Sequence, residues 1–484
     1  MNLNKDQEKF FEGGYFIYQN DYFKSDYANQ IDLKVTLPDN HGIKNAIISL
    51  IHKAEKSIKL CSFILSDPEI YSELNAVLNE RKVAVFILTQ LDNAKLSTHF
   101  LTEEEVNPNF YQKHIDYISK LYTNGAHIRA ATKAHAKFLI IDDNEAMVMS
   151  ANITTPSLNE NPESGVFVKH KESLNSLISL FDIIYQYGTE YTKFKSASKN
   201  KQFVVSRDAN LKKEWLKQTD DYNIKYTWAN DNQSLYLEII NLINNGDVNS
   251  EILISTYSVV GLDNIPEFTE ALKKYIEKGG EVLLFCRGMN YRSDHLSNCT
   301  KLAKIGVKIF GDLFNHSKGV ISNNKGFIFT ANIDGNHGLT NGFEIGYYLN
   351  DNQRNCLNYF ISWQIENAPF IFKLNPTKND FFETYKFYTQ EKGIKAIDFP
   401  EQVEFLISNR TTKLQKELEK FPIYIHCNSL KKVEVINVGS SYYYAKMVDN
   451  VIEVFDKVFK STNREVYLLQ SKKISIKIKH SSTL

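Results

Sequence analysis

Two segments of this sequence contain the same set of polar residues at the same spacing. The first segment begins at His135 and the second at His316, 181 residues later. Each copy starts with His-x-Lys, runs through an apolar stretch, a polar turn and a second apolar stretch, and ends in a hydroxyl residue, alanine and asparagine. A Glu-x-Gly follows 28 residues after each histidine (163 minus 135 and 344 minus 316). The first set is His135, Lys137, Ser150, Asn152 and Glu163, and the second is His316, Lys318, Thr330, Asn332 and Glu344. A duplication of this kind predicts a chain built from two similar halves.

The elements in front of the two motifs also recur in the same order. In the first half a helix over 43–54 leads to strand 57–63, helix 70–79 and strand 83–88; in the second, helix 235–243 leads to strand 251–257, helix 268–277 and strand 282–285. Each half then adds a helix and a short strand, 126–129 or 306–310. Apolar strands that alternate with helices predict a sheet covered on both faces. We therefore expect an α/β fold of two pseudo-symmetric α/β/α sandwich halves packed on each other.

The rest of the chain differs from these two halves. A polar, lysine-rich stretch from about 193 to 226 is predicted to connect them, and the pattern changes to short strands after a helix over 353–366. We expect three domains: the first half with an N-terminal extension and linker (1–225), the second half (226–374), and a small α+β accessory domain (375–484).

Charge and composition limit the partners. Lys plus Arg is 57 and Asp plus Glu is 57, so no net field attracts nucleic acid or anionic lipid, and a polyanion site must be local. The five cysteines show neither a C-x-x-C pair nor metal-ligand spacing, which favours reduced thiols and no metal site. The N-terminus lacks a secretory pattern and no apolar run is long enough to span a membrane, so we expect a cytoplasmic protein without stable membrane association.

The repeated residues suit phosphodiester chemistry. Alternation along a strand puts His and Lys on one face, and the returning hairpin strand brings the asparagine beside its histidine. If the halves pair about a pseudo-two-fold axis, two copies of His, Lys and Asn converge. One imidazole could then attack phosphorus, the other could protonate the leaving oxygen, and Lys and Asn could hold the non-bridging oxygens. Glu163 and Glu344 would accept the second ring N–H of each histidine.

Each assignment has a structural alternative. His135 and His316 could be hydrogen-bonded core histidines, and the two glutamates could be ordinary salt-bridge partners. Ser150 and Thr330 are expected to make hairpin-end hydrogen bonds, with substrate contact as the other reading. Asp142 is interpreted as a turn residue.

The two motifs resemble the H-x-K-x4-D and [S/T]-x-N motifs of the phospholipase D superfamily, over about residues 40–350. The resemblance implies two α/β halves and a two-step reaction through a phosphohistidine, without metal or cofactor, on phospholipids, DNA or RNA. It favours His135 as the attacking residue and His316 as the acid. The sequence departs from the family pattern at Met149 and Phe329, where glycine is usual, and at Asn323, which replaces the second aspartate. We interpret the loss of that aspartate as a structural change.

Substrate class is the least constrained prediction. Lys133, Arg287, Tyr291 and Arg292 lie near strand ends, where basic and aromatic residues could follow a nucleic acid strand or form an ordinary solvated loop. Lysines in 472–479 form either a basic surface or a protected edge strand. We expect a nuclease, acting on DNA more than RNA; a lipid phosphodiesterase and a scaffold with a decayed site are the alternatives.

The resemblance also suggests an effector of a bacterial restriction or antiviral system that works with a separate ATPase or sensor protein. The neutral net charge is compatible with an enzyme that a partner delivers to its substrate. The oligomeric state stays open, because a two-copy chain can complete its site within one molecule.

Overall fold

The computed structural model describes residues 13–19, 24–90, 108–197, 201–206, 209–219, 221–229, 231–290 and 292–377, and after these mainly the strands between 395 and 479. The strands are β1 (Gly14–Tyr18), β2 (Lys34–Leu37), β3 (Asn40–His41), β4 (Ser57–Cys61), β5 (Ala84–Thr89), β6 (His127–Ala130), β7 (Phe138–Ile141), β8 (Glu145–Met149), β9 (Glu163–Phe167), β10 (Tyr191–Ala197), β11 (Lys201–Ser206), β12 (Ile224–Trp228), β13 (Asn232–Gln233), β14 (Glu251–Ser255), β15 (Val259–Val260), β16 (Glu281–Arg287), β17 (Lys308–Asp312), β18 (Gly319–Ser322), β19 (Lys325–Phe329), β20 (Ile333–Asp334), β21 (Phe343–Tyr348), β22 (Phe370–Leu374), β23 (Lys395–Asp398), β24 (Gln402–Ser408), β25 (Ile423–Cys427), β26 (Val433–Val438), β27 (Ser441–Val448), β28 (Val451–Val458), β29 (Glu465–Gln470) and β30 (Lys473–Lys479).

The α-helices are α1 (Gly42–Lys53), α2 (Pro68–Ala76), α3 (Pro108–Thr123), α4 (Thr155–Asn159), α5 (Lys171–Ile183), α6 (Lys213–Leu216), α7 (Ser234–Asn244), α8 (Pro266–Glu277), α9 (Ser293–Lys304) and α10 (Asp351–Glu366). In the described part of the chain, none of the helices combines the length and the apolar composition that a membrane crossing needs.

The chain forms two compact units. One contains both motif copies and consists of Phe23–Arg287 and Ile305–Asn367; the other consists of Met1–Tyr22, Gly288–Lys304 and Ala368–Leu484. The three-domain division at residues 225 and 374 stays a prediction.

The unit with the motifs contains two sheets of matching strand order. In the first half the strands run β6-β5-β4-β7-β8-β9-β2-β3, and in the second β17-β16-β14-β18-β19-β21-β12-β13. In both, three parallel strands are followed by antiparallel ones. The duplication read from the sequence therefore extends to the order and direction of these eight strands in each half, and the expected α/β class is confirmed.

Apolar residues from both halves share one core. Phe138, in the first motif hairpin, packs edge to face against Phe343 of the second half, with ring centroids 6.3 Å apart. The same core takes in Leu177 of α5 and Phe360 of α10, which are both fully buried. Burying these helices between the sheets removes apolar surface that either half alone would expose to water.

One sequence interpretation was wrong in part. The lysine-rich stretch from 193 onward was taken as a connection, but β10 and β11 form a hairpin there that extends the first sheet beyond β6. Its lysines alternate with apolar residues over only a few positions, so composition masked the strand period.

The second unit contains the strand pair β1–β22 and the C-terminal sheet. Strand β1 pairs antiparallel with β22, and Asn290 fixes β1 by bonding both main-chain groups of Phe16, at 2.9 and 2.7 Å. The C-terminal sheet has the order β23-β29-β25-β26-β27-β28-β24-β30. Its last strand, β30, lies at the sheet edge, where Lys477 pairs with Glu404 at 2.8 Å; Lys472 of the predicted lysine set lies outside the described residues.

Candidate active site

The motif hairpins are anchored at their turns by one side chain each. Between β7 and β8, Asp142 has a φ of 51° and its carboxylate accepts the N–H groups of Glu55, Lys56 and Ser57 at 2.7–2.8 Å. Those N–H groups outweigh partial burial and hold the pKa of Asp142 below its usual range. Asn323 stands at the equivalent turn with a φ of 54°, and its side-chain oxygen accepts from Asp247 and Ser250 instead.

Each histidine is held by the glutamate of the other half. His135 Nδ1 donates to Glu344 Oε1 at 2.5 Å, and His316 Nδ1 donates to Glu163 Oε1 at 2.6 Å. The main chain repeats the exchange, because His135 N–H donates to the Phe343 carbonyl and His316 N–H to the Pro162 carbonyl, at 3.1 and 3.0 Å. The two motif copies therefore form one reciprocal constellation, and neither histidine is oriented by its own half.

The hydroxyl residues of the motifs hold the glutamates. Ser150 Oγ donates to Glu163 Oε2 and Thr330 Oγ1 to Glu344 Oε2, both at 2.5 Å. Each hydroxyl also accepts a main-chain N–H from the strand that carries its glutamate, at 2.9 and 3.0 Å. This geometry matches the hairpin-end reading, and substrate contact by these hydroxyls stays a prediction.

The two lysines are fully buried inside this arrangement. Lys137 Nζ donates to the His135 carbonyl, and Lys318 Nζ donates to the His316 carbonyl at 2.6 Å. The positive charge of Lys137 opposes the effect of burial at both glutamates, so the two His–Glu pairs belong to one electrostatic site.

The two glutamates differ in pKa although they make equivalent hydrogen bonds. Burial raises the pKa of Glu163 to about 7, against the opposing charge of Lys318. Glu344 is equally buried, yet the charges of His135 and Lys137 overcome the effect of burial and hold its pKa below the usual range. Paired groups with separated pKa values are typical of acid–base sites. Near neutral pH, His135 faces an ionised carboxylate while Glu163 is partly protonated.

The two histidines also differ in access. The His135 side chain is 26% exposed and His316 only 3%. His135 lines a pocket, together with residues of both halves. The lining is Phe63, Gln90, Thr132, Lys133, Ala134, His135, Asn332, Asp334, His337, Gly338, Asn341, Gly342 and Glu344. Most of these residues are polar, so the pocket suits a hydrated, oxygen-rich group better than an acyl chain.

The asparagines occupy the ends of the hairpins, as the motif spacing predicts. Asn152 is buried in the first half. Asn332 lines the pocket, and its side-chain oxygen is buried without a hydrogen-bond partner among the residues that the structure describes. An acceptor in that state is available to a ligand.

Comparison with known proteins places this geometry in a family. Residues 47–185 match the family model described as cardiolipin synthase, PLD-like domain. A phosphatidylserine synthase from Haemophilus influenzae Rd KW20 aligns with a TM-score of 0.50 at 14% identity, over 79% of this chain and 96% of that one. Residues 47–185 thus match a PLD-like domain, and the likeness in fold to the synthase extends over most of the chain.

Two other structures align less well. Nuc, a phospholipase D family member from Salmonella typhimurium, covers 31% of this chain and 91% of its own, at 19% identity and a TM-score of 0.26. A polyphosphate kinase from Porphyromonas gingivalis covers 67% and 49%, at 13% identity and 0.42. No curated protein matches the sequence significantly. The match to a PLD-like domain supports action on phosphodiesters and leaves the substrate open.

Two aromatic residues beside the histidines were not identified from the sequence. Phe63 packs edge to face against His135 and Tyr257 against His316, with centroids 5.1 and 5.4 Å apart. Each follows the last residue of its strand, β4 or β14, by two positions. Aligning β4 with β14 pairs Phe63 with Tyr257, so the sequence repeat contains the signal that could have identified them.

The residues predicted to bind substrate outside the motifs differ in their surroundings. Lys133 lines the pocket, with its ammonium 5.8 Å from the Trp228 ring. Arg287 is buried, donates to the Phe314 carbonyl at 2.8 Å, and lies 4.7 Å from the ring of Tyr257.

The other two predicted binding residues follow Arg287 in sequence. Tyr291 lies outside the described residues. Arg292 pairs with Asp294 at 3.0 Å. Neither provides structural support for a strand-tracking groove, and their substrate contact stays a prediction.

Proposed function

We propose that the protein is a metal-independent nuclease that cleaves DNA, or RNA, through a phosphohistidine formed on His135. The observation that carries this proposal is the reciprocal pairing of His135 with Glu344 and of His316 with Glu163. Such pairing gives each imidazole a fixed ring orientation and a carboxyl partner, which are what nucleophilic and acid roles require.

In the first step, His135 is the nucleophile. Its Nδ1–H donates to ionised Glu344, so Nε2 carries the lone pair and attacks phosphorus. A P–N bond forms, the bond from phosphorus to the leaving oxygen breaks, and His316 in its protonated form transfers a proton to that oxygen. Lys137, Lys318 and the motif asparagines are proposed to stabilise the charge that develops on the non-bridging oxygens.

In the second step, water attacks the phosphohistidine. Neutral His316 takes a proton from the water, the P–N bond breaks, and the product leaves as a phosphate monoester. His135 then regains its lone pair and His316 its proton, so both histidines return to their starting states. The greater exposure of His135 supports its role, because the residue that bonds to phosphorus must reach the substrate.

A nucleic acid substrate is supported by the polar pocket around His135 and by Lys133 within it. A phospholipid is the second candidate, favoured by the likeness in fold to a phosphatidylserine synthase. The test incubates wild type with single- and double-stranded DNA, RNA and mixed phospholipid vesicles in EDTA. His135→Asn and His316→Asn serve as controls, and their circular dichroism is compared with wild type.

We expect nucleic acid cleavage that survives EDTA and is lost in both variants. With wild type, an acid-labile phosphorylated adduct should map to His135 after rapid quenching. Lipid turnover without nucleic acid cleavage would replace the proposal with the second candidate. Silence on every substrate, including bis(p-nitrophenyl) phosphate, both alone and with the partners pulled down from the native cell, would support the scaffold alternative.

A role as the effector of a bacterial defence system, working with an ATPase or sensor, is part of the same proposal. It is supported by the zero net charge, which supplies no overall attraction to DNA. The cleavage expected from the purified protein is therefore slow, and rapid degradation of DNA without any partner would contradict the effector role while leaving the nuclease proposal in place.

A further inference from the structure

We infer that the pocket beside His135 binds a hydroxyl group of the sugar next to the scissile phosphate, through the side-chain oxygen of Gln90. The inference rests on the proposed nuclease function and specifies the substrate group that this site reads.

Gln90 is a buried residue with an available acceptor. It directly follows β5, is 1% exposed, and lines the same pocket as His135 and Asn332. Its main-chain carbonyl accepts from the ring of His114 at 3.1 Å, which fixes the backbone. Its Oε1 has no hydrogen-bond partner within the part of the chain that the structure describes. Buried acceptors in folded proteins nearly always have a donor, so a ligand is expected to supply this one.

The duplication provides an internal comparison. Ser62 donates its N–H to the Leu88 carbonyl, and Thr256 donates to the Phe285 carbonyl, both close to 3.0 Å (3.1 and 3.0 Å). Gln90 therefore occupies in the first half the place that Arg287 has in the second. Arg287 bonds to Phe314 and stacks on Tyr257 within its own half. Gln90 therefore provides a hydrogen-bond acceptor at this position in the first half. In the second half the same position holds Arg287, a cation that is bonded within its own half.

The chemistry of the pocket selects the occupant. Gln90 and Asn332 both contribute acceptor oxygens without a donor among the described residues. A phosphate oxygen is itself an acceptor, so it would not satisfy them. Lys133 and Asp334 place one charge of each sign in the same pocket, so a neutral donor needs no further counter-charge there. A sugar hydroxyl beside the phosphate is such a donor, and both acceptor residues lie in the pocket that His135 lines.

Two sugar hydroxyls share this chemistry, the 2′-hydroxyl of a ribonucleotide and a 3′-terminal hydroxyl. The p-nitrophenyl 5′-phosphate esters of uridine, thymidine and 2′,3′-dideoxyuridine separate them, and bis(p-nitrophenyl) phosphate has no hydroxyl at all. The measurement is kcat/KM for the four esters with wild type and with Gln90→Met, which keeps the length of the side chain and removes its acceptor. Gln112→Met, the same change on the exposed face of α3, is the matched control.

We expect wild type to prefer the hydroxyl-bearing esters by about tenfold to a hundredfold, because sites built to bond a hydroxyl discriminate strongly against its absence. Preference for uridine alone assigns the 2′-hydroxyl, and equal preference for uridine and thymidine assigns the 3′-hydroxyl. Gln90→Met should abolish the preference and leave bis(p-nitrophenyl) phosphate within about twofold of wild type. Gln90→Glu, which retains acceptor oxygens, should keep part of the preference and checks against a folding defect in Gln90→Met.

Three results would overturn the inference: equal rates for all nucleoside esters, a preference that survives Gln90→Met, or an equal loss on bis(p-nitrophenyl) phosphate. Failure to cut oligonucleotides, with ester preference intact, would instead refute the nuclease proposal alone. If wild type hydrolyses no ester, both fail.

Discussion

Replacing each glutamate by glutamine should have effects that differ in size and in pH dependence. Glu344→Gln removes the ionised partner of His135 while keeping a hydrogen-bond acceptor of the same shape. The lost bond is charge-assisted, short and buried, so it is worth about 2–3 kcal/mol, or roughly 30- to 150-fold in kcat. Because burial is outweighed by cationic neighbours and the pKa of Glu344 is low, this loss should persist from pH 6 to 8.5.

Glu163→Gln should behave differently. Burial raises the pKa of Glu163 to about 7, so glutamine imitates the protonated form that already dominates at pH 6. The variant should lie within about threefold of wild type at pH 6 and fall behind by roughly tenfold or more at pH 8, where wild type gains the ionised carboxylate beside His316.

The assay is the initial rate of bis(p-nitrophenyl) phosphate hydrolysis from pH 5.5 to 8.5, with thermal unfolding of each variant as the folding control. Equal losses for the two variants at every pH would refute the reasoning, as would a Glu344→Gln loss that vanishes at pH 6. Either result would mean that the environments of the two glutamates do not separate their roles.

Three further predictions concern stability and charge. The raised pKa of Glu163 makes the folded state bind more protons than the unfolded state between about pH 4.5 and 7. The free energy of unfolding therefore falls as pH rises through that window, because the buried carboxyl must ionise in the folded state. Glu163→Gln should raise the melting temperature at pH 8 and not at pH 5. Asp142→Ala should lower the free energy of unfolding by about 1–3 kcal/mol in urea titrations, more than Asn323→Ala, because three main-chain N–H groups lose an ionised acceptor. Lys137→Met should lower kcat on bis(p-nitrophenyl) phosphate by roughly a hundredfold or more with normal circular dichroism, and activity close to wild type would contradict the proposed charge stabilisation.

Much of the fold could be predicted because both halves follow simple periods. The helix expected over 43–54 is Gly42–Lys53, and the strand expected over 83–88 is Ala84–Thr89. These segments have one clear apolar pattern each and short polar boundaries. The hairpin of β10 and β11 lacked such a pattern, and it was read as a connection.

The residues of the candidate site could be predicted from the sequence, but the pairing of each histidine with the glutamate of the other half could not. Spacing placed a histidine, a lysine, an asparagine and a glutamate in each half. That Glu344 serves His135, and Glu163 serves His316, depends on how the halves pack. Contacts between segments more than 150 residues apart leave no period in the sequence, so only the folded chain shows them.

The difference between the halves arises from neighbours that the motifs do not include. Gln90 directly follows β5, and Arg287 is the last residue of β16; both stand two residues after the carbonyl that accepts from the β4 or β14 exit, Leu88 or Phe285. Lys133 and Phe314 each stand two residues before a motif histidine. The motif residues themselves are nearly identical, so they fix a symmetric scaffold and cannot assign unequal roles. Unequal roles require unequal access and unequal charge, and both favour His135 as the residue that meets phosphorus. A duplicated site can thus keep its motifs and still divide the work of attack and protonation, provided that the residues around them diverge.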